Sequence, residues 1–281
     1  MIGNNINRCI FSIFHRIFQR TVFLTFLSYL YEIICFFLKK ISDFCQKPQA
    51  TILLSFQKSF QKMTNFQQIK EDLSKQEITL VAVSKTKPNE AILNFYNQGQ
   101  RIFGENKVQE LVQKYEVLPK DIQWHLIGHL QTNKVKYAAA FVDTIHSVES
   151  LKLLKEINKQ AQKHDRVINC FLQMKIAEEA TKFGMNLDDV RALLLSDSYT
   201  NFKNINITGV MGMATFTDDQ AQIRTEFKRL KSVFDLLKSD FFANKSDFQT
   251  ISMGMSNDYK LAIEEGSNMV RIGSLLFGSR E

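Results

Sequence analysis

From about residue 64 to residue 281, short apolar runs alternate with stretches in which apolar residues return every three or four positions. The runs read as strands and the periodic stretches as helices. The clearest run is Ile78–Val83. It is continuous rather than alternating, as in strands of a parallel sheet covered on both faces. It stops at Ser84-Lys85-Thr86-Lys87-Pro88, and Pro88 suits the first turn of a following helix. Asn89–Gln98 then sets Ile92, Phe95 and Tyr96 on one face and stops at Gly99. Further strands are expected over Arg101–Asn106, Ile122–Leu130, Phe141–Val148, Val167–Ala177, Ile207–Thr215, Thr250–Met255 and Met269–Gly273. Helices are expected over Phe66–Lys75, Lys107–Val117, Thr132–Ala140, Glu149–Lys163, Leu187–Ser196, Asp219–Lys238 and Asn257–Glu265.

Strict alternation of strand and helix implies parallel strands joined by right-handed crossovers. An open doubly wound sheet has the same local pattern. Eight strands, and no glycine-rich loop after the first, favour a single (β/α)₈ TIM barrel over residues 64–281. No repeat or low-complexity stretch divides it. Residues 1–63 form an extension of different character.

Charge and cysteine set that extension apart. Of the 36 Lys/Arg and 29 Asp/Glu, residues 1–62 hold eight basic and two acidic. The remaining 28 basic and 27 acidic residues nearly cancel, so no basic nucleic-acid face is expected on the barrel. Cys9, Cys35 and Cys45 lie in the extension and Cys170 in an apolar run, with neither a disulfide framework nor zinc spacing. Residues 21–38 form an apolar stretch of 18 residues with Glu32 as its one charge, flanked by Arg16, Arg20, Lys39 and Lys40. Three readings stay open for it: a membrane anchor, a mitochondrial or other targeting segment, or a dispensable extension. The barrel itself reads as a cytoplasmic monomer.

In such a barrel the C-terminal ends of the strands share one rim, where chemistry gathers. That rim would collect Lys85, Asn106, His129, His146, Lys175, Met213, Ser256 and Arg271. Lys85 follows a buried strand, so apolar surroundings favour its neutral, nucleophilic amine, although strand-end lysines are more often only solvated. His125 and His129 lack the carboxylate or cysteine company of a metal site, and none is expected. His146 reads equally well as a satisfied loop histidine. Ser256, Gly273 and Ser274 follow the last two strands, where barrels bind phosphate on hydroxyls and backbone amides. Their alternative reading is two caps and a turn. Arg271, inside an apolar strand end, needs an anionic or acceptor partner. An amine, a phosphate cradle and an arginine between them suit pyridoxal 5′-phosphate.

Five ordered motifs carry a resemblance over roughly residues 64–281: AVSKTKP (Ala82–Pro88), FGENKVQEL (Phe103–Leu111), WHLIGHLQTNK (Trp124–Lys134), SMGMSNDYKLAI (Ser252–Ile263) and VRIGSLLFG (Val270–Gly278). They resemble the pyridoxal phosphate homeostasis proteins, whose barrel is related to the N-terminal domain of alanine racemase. The resemblance implies that Lys85 carries the cofactor as an aldimine. It implies that Ser256, Gly273 and Ser274 hold the phosphate, and that Arg271 faces the ring nitrogen. Asn106 and Met213 complete the expected pocket. Lys175 and Phe183 depart from the family pattern, and whether Lys87 relays the cofactor stays open in the sequence. The implied function is a carrier and buffer of vitamin B6, not an enzyme, with apo-enzymes that use the cofactor as partners. The alternative is an amino-acid racemase, which needs a second base on the opposite face of the substrate; none is evident, and the further domain of true racemases is not expected here.

Overall fold

The computed structural model describes residues 65–178 and 183–278. These fall in the second of two units into which the chain divides, Met1–Gln61 and Lys62–Glu281. The apolar stretch at residues 21–38 lies outside the described residues, as do Thr181 and Lys182. Among the described residues no helix is long and apolar enough to cross a membrane.

A first helix, α1, covers residues 65–75. Eight strands follow: β1 (Thr79–Val83), β2 (Ile102–Glu105), β3 (Gln123–Leu126), β4 (Thr144–Val148), β5 (Ile168–Gln173), β6 (Ile205–Met211), β7 (Thr250–Ser252) and β8 (Met269–Ile272). They pair in sequence order, and β8 closes on β1. All eight pairings are parallel. This is the (β/α)₈ barrel expected from the alternation. The connecting helices are α2 (Asn89–Asn97), α3 (Val108–Val117), α4 (Val135–Ala138), α5 (Leu151–Gln162), α6 (Leu187–Leu194), α7 (Asp197–Thr200), α8 (Gln220–Asp240), α9 (Tyr259–Glu264) and α10 (Ser274–Phe277).

The larger core lies between barrel and helices. It takes Leu80 and Ala82 from β1, Ile92 and Phe95 from α2, and Ile223, Phe227 and Leu230 from α8. Each of the Leu, Ile and Phe side chains contributes about 1.5–3 kcal/mol of burial. A second, smaller cluster (Val81, Phe171, Met211 and Met269) draws on β1, β5, β6 and β8 and fills the barrel itself. Chain ends of helices are satisfied locally. Asn186 and Asp189 form a reciprocal capping box on α6, and Ser150 accepts from Leu153 N–H at the start of α5.

Several strands end earlier than their apolar runs. β3 stops at Leu126, β5 at Gln173, β6 at Met211 and β7 at Ser252. Leu130, Ile176, Ala214 and Met253 lie beyond those ends and are still buried. Apolarity there reports burial beneath the loops, not ladder pairing. Pro88 stands at the N-cap of α2 with ψ of 159°, one residue before the turn expected for it. Two short helices, α7 and α10, are four residues each, too brief for a periodic signal.

Candidate functional site

The strand ends surround a cleft of about 550 Å³. That is within the usual range for a small-molecule site, roughly 300–1,000 Å³. Lys85, Asn106, Met213, Ser256, Arg271, Gly273 and Ser274 all line it, as does Lys87. The seven residues singled out in the sequence thus meet in one place. His129, His146 and Lys175 do not line it. His129 is turned to Glu149 (3.0 Å) and stacks on Phe183, ring centroids 4.7 Å apart. His146 is not a loop residue at all: it lies within β4 and is fully buried. Lys175 is exposed, and its N–H donates to Met185 O, so this departure from the family pattern lies away from the cleft.

Lys85 sits on a loop that the neighbouring elements hold tightly. Ser84, just ahead of it, is buried, and its hydroxyl donates to Glu105 Oε1 at 2.6 Å. Lys114, on α3, donates to Ser84 O (2.8 Å), Glu105 Oε1 (2.8 Å) and Glu110 Oε1 (2.6 Å). On the other side, Thr86 N–H donates to the same Glu110 oxygen at 2.6 Å, and Thr86 takes a φ of 63°. A non-glycine residue in that region is uncommon and needs such support. Burial pushes the Glu105 carboxyl up, while the Lys114 ammonium pulls it down. Glu105, Glu110 and Lys114 were not singled out in the sequence. A signal existed: Lys114 falls on the stripe of Val108 and Leu111, where a buried amine demands an acid partner, and Glu110 lies one turn back.

Gly128 makes room at the next strand end. A Cβ there would stand 2.4 Å from Asn106 O, so glycine lets the two loops pack behind Asn106. Across the cleft, Gly254 takes a φ of +93° as β7 leads toward α9, and a Cβ there would meet Ala262 Cβ at 2.6 Å. Asp258 precedes α9 and accepts from Met255 N–H at 2.5 Å. Burial pushes its carboxyl up, against the pull of Arg271. Gly273 N–H and Leu275 N–H both point at Ser256 Oγ, at 3.2 and 3.5 Å. Two backbone amides and a hydroxyl therefore converge at one corner, a donor set suited to a phosphate group.

Arg271 is 4% exposed. The acceptors it needs are neutral: Ser252 O and Ser252 Oγ for Nη1, both at 2.8 Å, and Gly212 O for Nη2 at 3.1 Å. Burial lowers its pKa to about 10, so it remains a cation at neutral pH. The far wall, Met213 to Thr217, is fixed by Glu226 on α8. Glu226 accepts from Thr215 N–H (2.6 Å), Thr215 Oγ (2.7 Å), Glu178 N–H (3.2 Å) and Gln222 Nε2 (3.3 Å). Burial raises its carboxyl, but these donors outweigh burial and leave it below its ordinary value. Sequence reading missed Glu226 because a glutamate on a long polar helix looks solvated. Among the described residues no group of three or more His, Cys, Asp or Glu side chains could hold a metal ion.

Comparison with known proteins agrees with this geometry. The family model for the alanine racemase N-terminal domain matches residues 62–281. The pyridoxal phosphate homeostasis protein of Aquifex aeolicus is 39% identical over 204 residues, 72% of this chain and 87% of that protein. PipY of Synechococcus elongatus, solved with PLP bound, is 36% identical with a TM-score of 0.65, covering 72% of this chain and 93% of its own. The alanine racemase of Clostridium difficile, 15% identical with a TM-score of 0.64 over 78% of this chain and 60% of its own, shares the fold alone. The chain belongs to the pyridoxal phosphate homeostasis protein family, built on the barrel of the alanine racemase N-terminal domain.

Proposed function

We propose that this chain binds pyridoxal 5′-phosphate in the rim cleft and serves as a carrier and buffer of that cofactor. The observation that carries this reading is the meeting of Lys85, Arg271 and the donors around Ser256 in one cleft. The donor set fits the cofactor. Ser256 Oγ, with the amides of Gly273 and Leu275, suits the phosphate. Ser274 stands beside them. Arg271 is the group for the ring nitrogen. As a cation near pH 7 it donates and cannot receive a proton, so it does not favour a protonated pyridine. Asn106 and Met213 contribute to the walls. When bound, the cofactor supplies an aldehyde that condenses reversibly with an amine.

Lys85 is the amine for that condensation, on a strand-end loop pinned by Glu105, Glu110 and Lys114. Lys87 lines the same cleft, which supports a part for it in release. Pinning matters for a carrier, because affinity then comes from a preformed pocket rather than from ordering a loop on binding. The relatives are named for homeostasis, and PipY was solved both with and without PLP, which supports reversible loading.

Carrier and racemase readings separate on the α-proton. Racemisation needs a positioned base on each face of the substrate carbon, and one such base contributes about 10²–10⁴-fold. The expected result is transfer of the cofactor to an apo-enzyme, with exchange of the alanine α-proton in deuterated water at least about 10²-fold below a dedicated enzyme. Fast Lys85-dependent exchange, at about 1–10³ per second, would instead establish catalysis.

A further inference from the structure

Behind Arg271 the barrel interior carries a row of polar side chains that the proposed cofactor site does not use. Arg271 Nη1 donates to Ser252 Oγ at 2.8 Å. Ser252 Oγ lies 3.2 Å from His146 Nδ1. His146 Nε2 lies 2.9 Å from His125 Nδ1. His125 Nε2 lies 3.6 Å from Asp143 Oδ1, which also accepts from Thr144 Oγ at 2.7 Å. Arg271, Ser252, His146 and His125 are all buried. Ser252 belongs to β7 and His146 to β4, strands that are not neighbours, so the row crosses the barrel interior. Asp143 directly precedes β4, at the end of the barrel opposite the cleft.

Proton counting gives the row one direction. Arg271 can only donate, so Ser252 Oγ accepts from it. The Ser252 hydroxyl proton then has His146 Nδ1 within reach as its acceptor. His146 must carry its proton on Nε2, and it donates that proton to His125 Nδ1. His125 in turn carries its proton on Nε2, facing the Asp143 carboxylate. The reverse direction leaves the Ser252 hydroxyl proton without a partner inside the barrel. It also sets a bare His125 Nε2 against a carboxylate, unless His125 becomes a buried cation near Arg271. Both features are costly. Burial, with the charge of Arg271 beside it, holds His146 well below the ordinary imidazole range, in keeping with a neutral ring.

We propose that Ser252, His146 and His125 are positioning residues for Arg271, joined in one directed hydrogen-bond chain that ends with His125 Nε2–H facing the Asp143 carboxylate, both imidazoles being neutral and protonated on Nε2. Every dipole in the chain turns its negative end toward the guanidinium and its positive end toward the carboxylate. Aligned bonds of this kind reinforce one another. The chain thus stabilises Arg271 as a cation and fixes two of its nitrogen directions. The side chain that faces the ring nitrogen is therefore held from the far end of the barrel.

Side-chain ¹⁵N–¹H NMR of the ligand-free, full-length protein at pH 7 tests the chain directly. Resonances are assigned by Gln substitution at the other three of the five histidines, His15, His129 and His164. The expected result is a protonated Nε2 and a bare Nδ1 in both His125 and His146. A proton on His146 Nδ1, or an imidazolium at either position, overturns the proposal. A second arm rests on the proposed function and measures affinity for pyridoxal 5′-phosphate. Ser252→Ala removes an acceptor from a charged donor and should weaken binding about tenfold or more. Ser252→Thr keeps the hydroxyl and should restore it. Unchanged affinity in folded Ser252→Ala, while the wild type binds, also overturns the proposal. Should the wild type not bind at all, the proposed function fails, and the NMR result still decides the chain.

Discussion

Glu226 shows how much one side chain can hold at this rim. Its two oxygens accept from the loops after β5 and β6 and from its own helix. Its folded pKa lies below the unfolded value of about 4.5. A depressed carboxyl adds stability that is present in full above the unfolded pKa and is lost as pH falls through the folded one. Glu226→Gln keeps the shape and removes the charge. It should flatten the acid limb of the stability curve below about pH 4.5, lower the melting temperature at pH 7, and weaken binding in the cleft through a looser Met213–Thr217 wall. Thermal melts at pH 2.5, 3, 4, 5 and 7 check it; parallel curves for variant and wild type across that range would remove Glu226 from this role. At this scale the sequence was legible where chemistry is unusual. Lys85 after a buried strand and Arg271 inside one both stood out, and both line the cleft. Glu226, Glu105 and Lys114 did not stand out, because charge on a helix face or a strand end looks solvated until tertiary packing buries it. His146 was misread for the opposite reason: in FVDTIHSV it was taken as a rim or loop histidine although the expected strand ran to Val148, and it lies buried within that strand.

Elements meet around the Lys85 loop through a buried ion pair. Lys114 on α3 and Glu105 at the end of β2 are 2.8 Å apart, 6% and 0% exposed. Removing one partner of such a pair strands the other charge, at a cost of about 3–5 kcal/mol. Lys114→Met should therefore lower stability by that order. The pair Lys114→Met with Glu105→Gln should recover part of it, because the fully buried Glu105 charge is no longer left unpaired and only the half-buried Glu110 loses its partner. Chemical denaturation of both variants checks the difference; equal losses would mean the pair is not coupled. The element pattern itself was read well from periodicity, since eight buried runs separated by helical stretches leave few topologies. Boundaries were read less well. The Val167–Ala177 run contains a strand only to Gln173, and Met174 makes an isolated parallel bridge to Met185. Side chains past that point are apolar because loops cover them.

The molecule divides by sequence character as well as by structure. Residues 1–62 hold most of the net charge and three of the four cysteines, and the family match begins at residue 62. The barrel core closes within the second unit, with Phe66 and Ile69 of α1 packed into it. A chain beginning at Met63 should fold cooperatively and bind the cofactor as the full chain does, which a thermal melt and a titration would show. Failure to fold would place residues 1–62 in the fold. The central claim of the account is that Lys85 is the amine that meets the cofactor. Its most direct test is to load the protein with pyridoxal 5′-phosphate, reduce with borohydride, digest, and locate the added mass by mass spectrometry. The account predicts the adduct on Lys85, and its loss in Lys85→Ala but not in Lys87→Ala. An adduct of undiminished yield on Lys87 or any other lysine, with Lys85 unmodified, would contradict it.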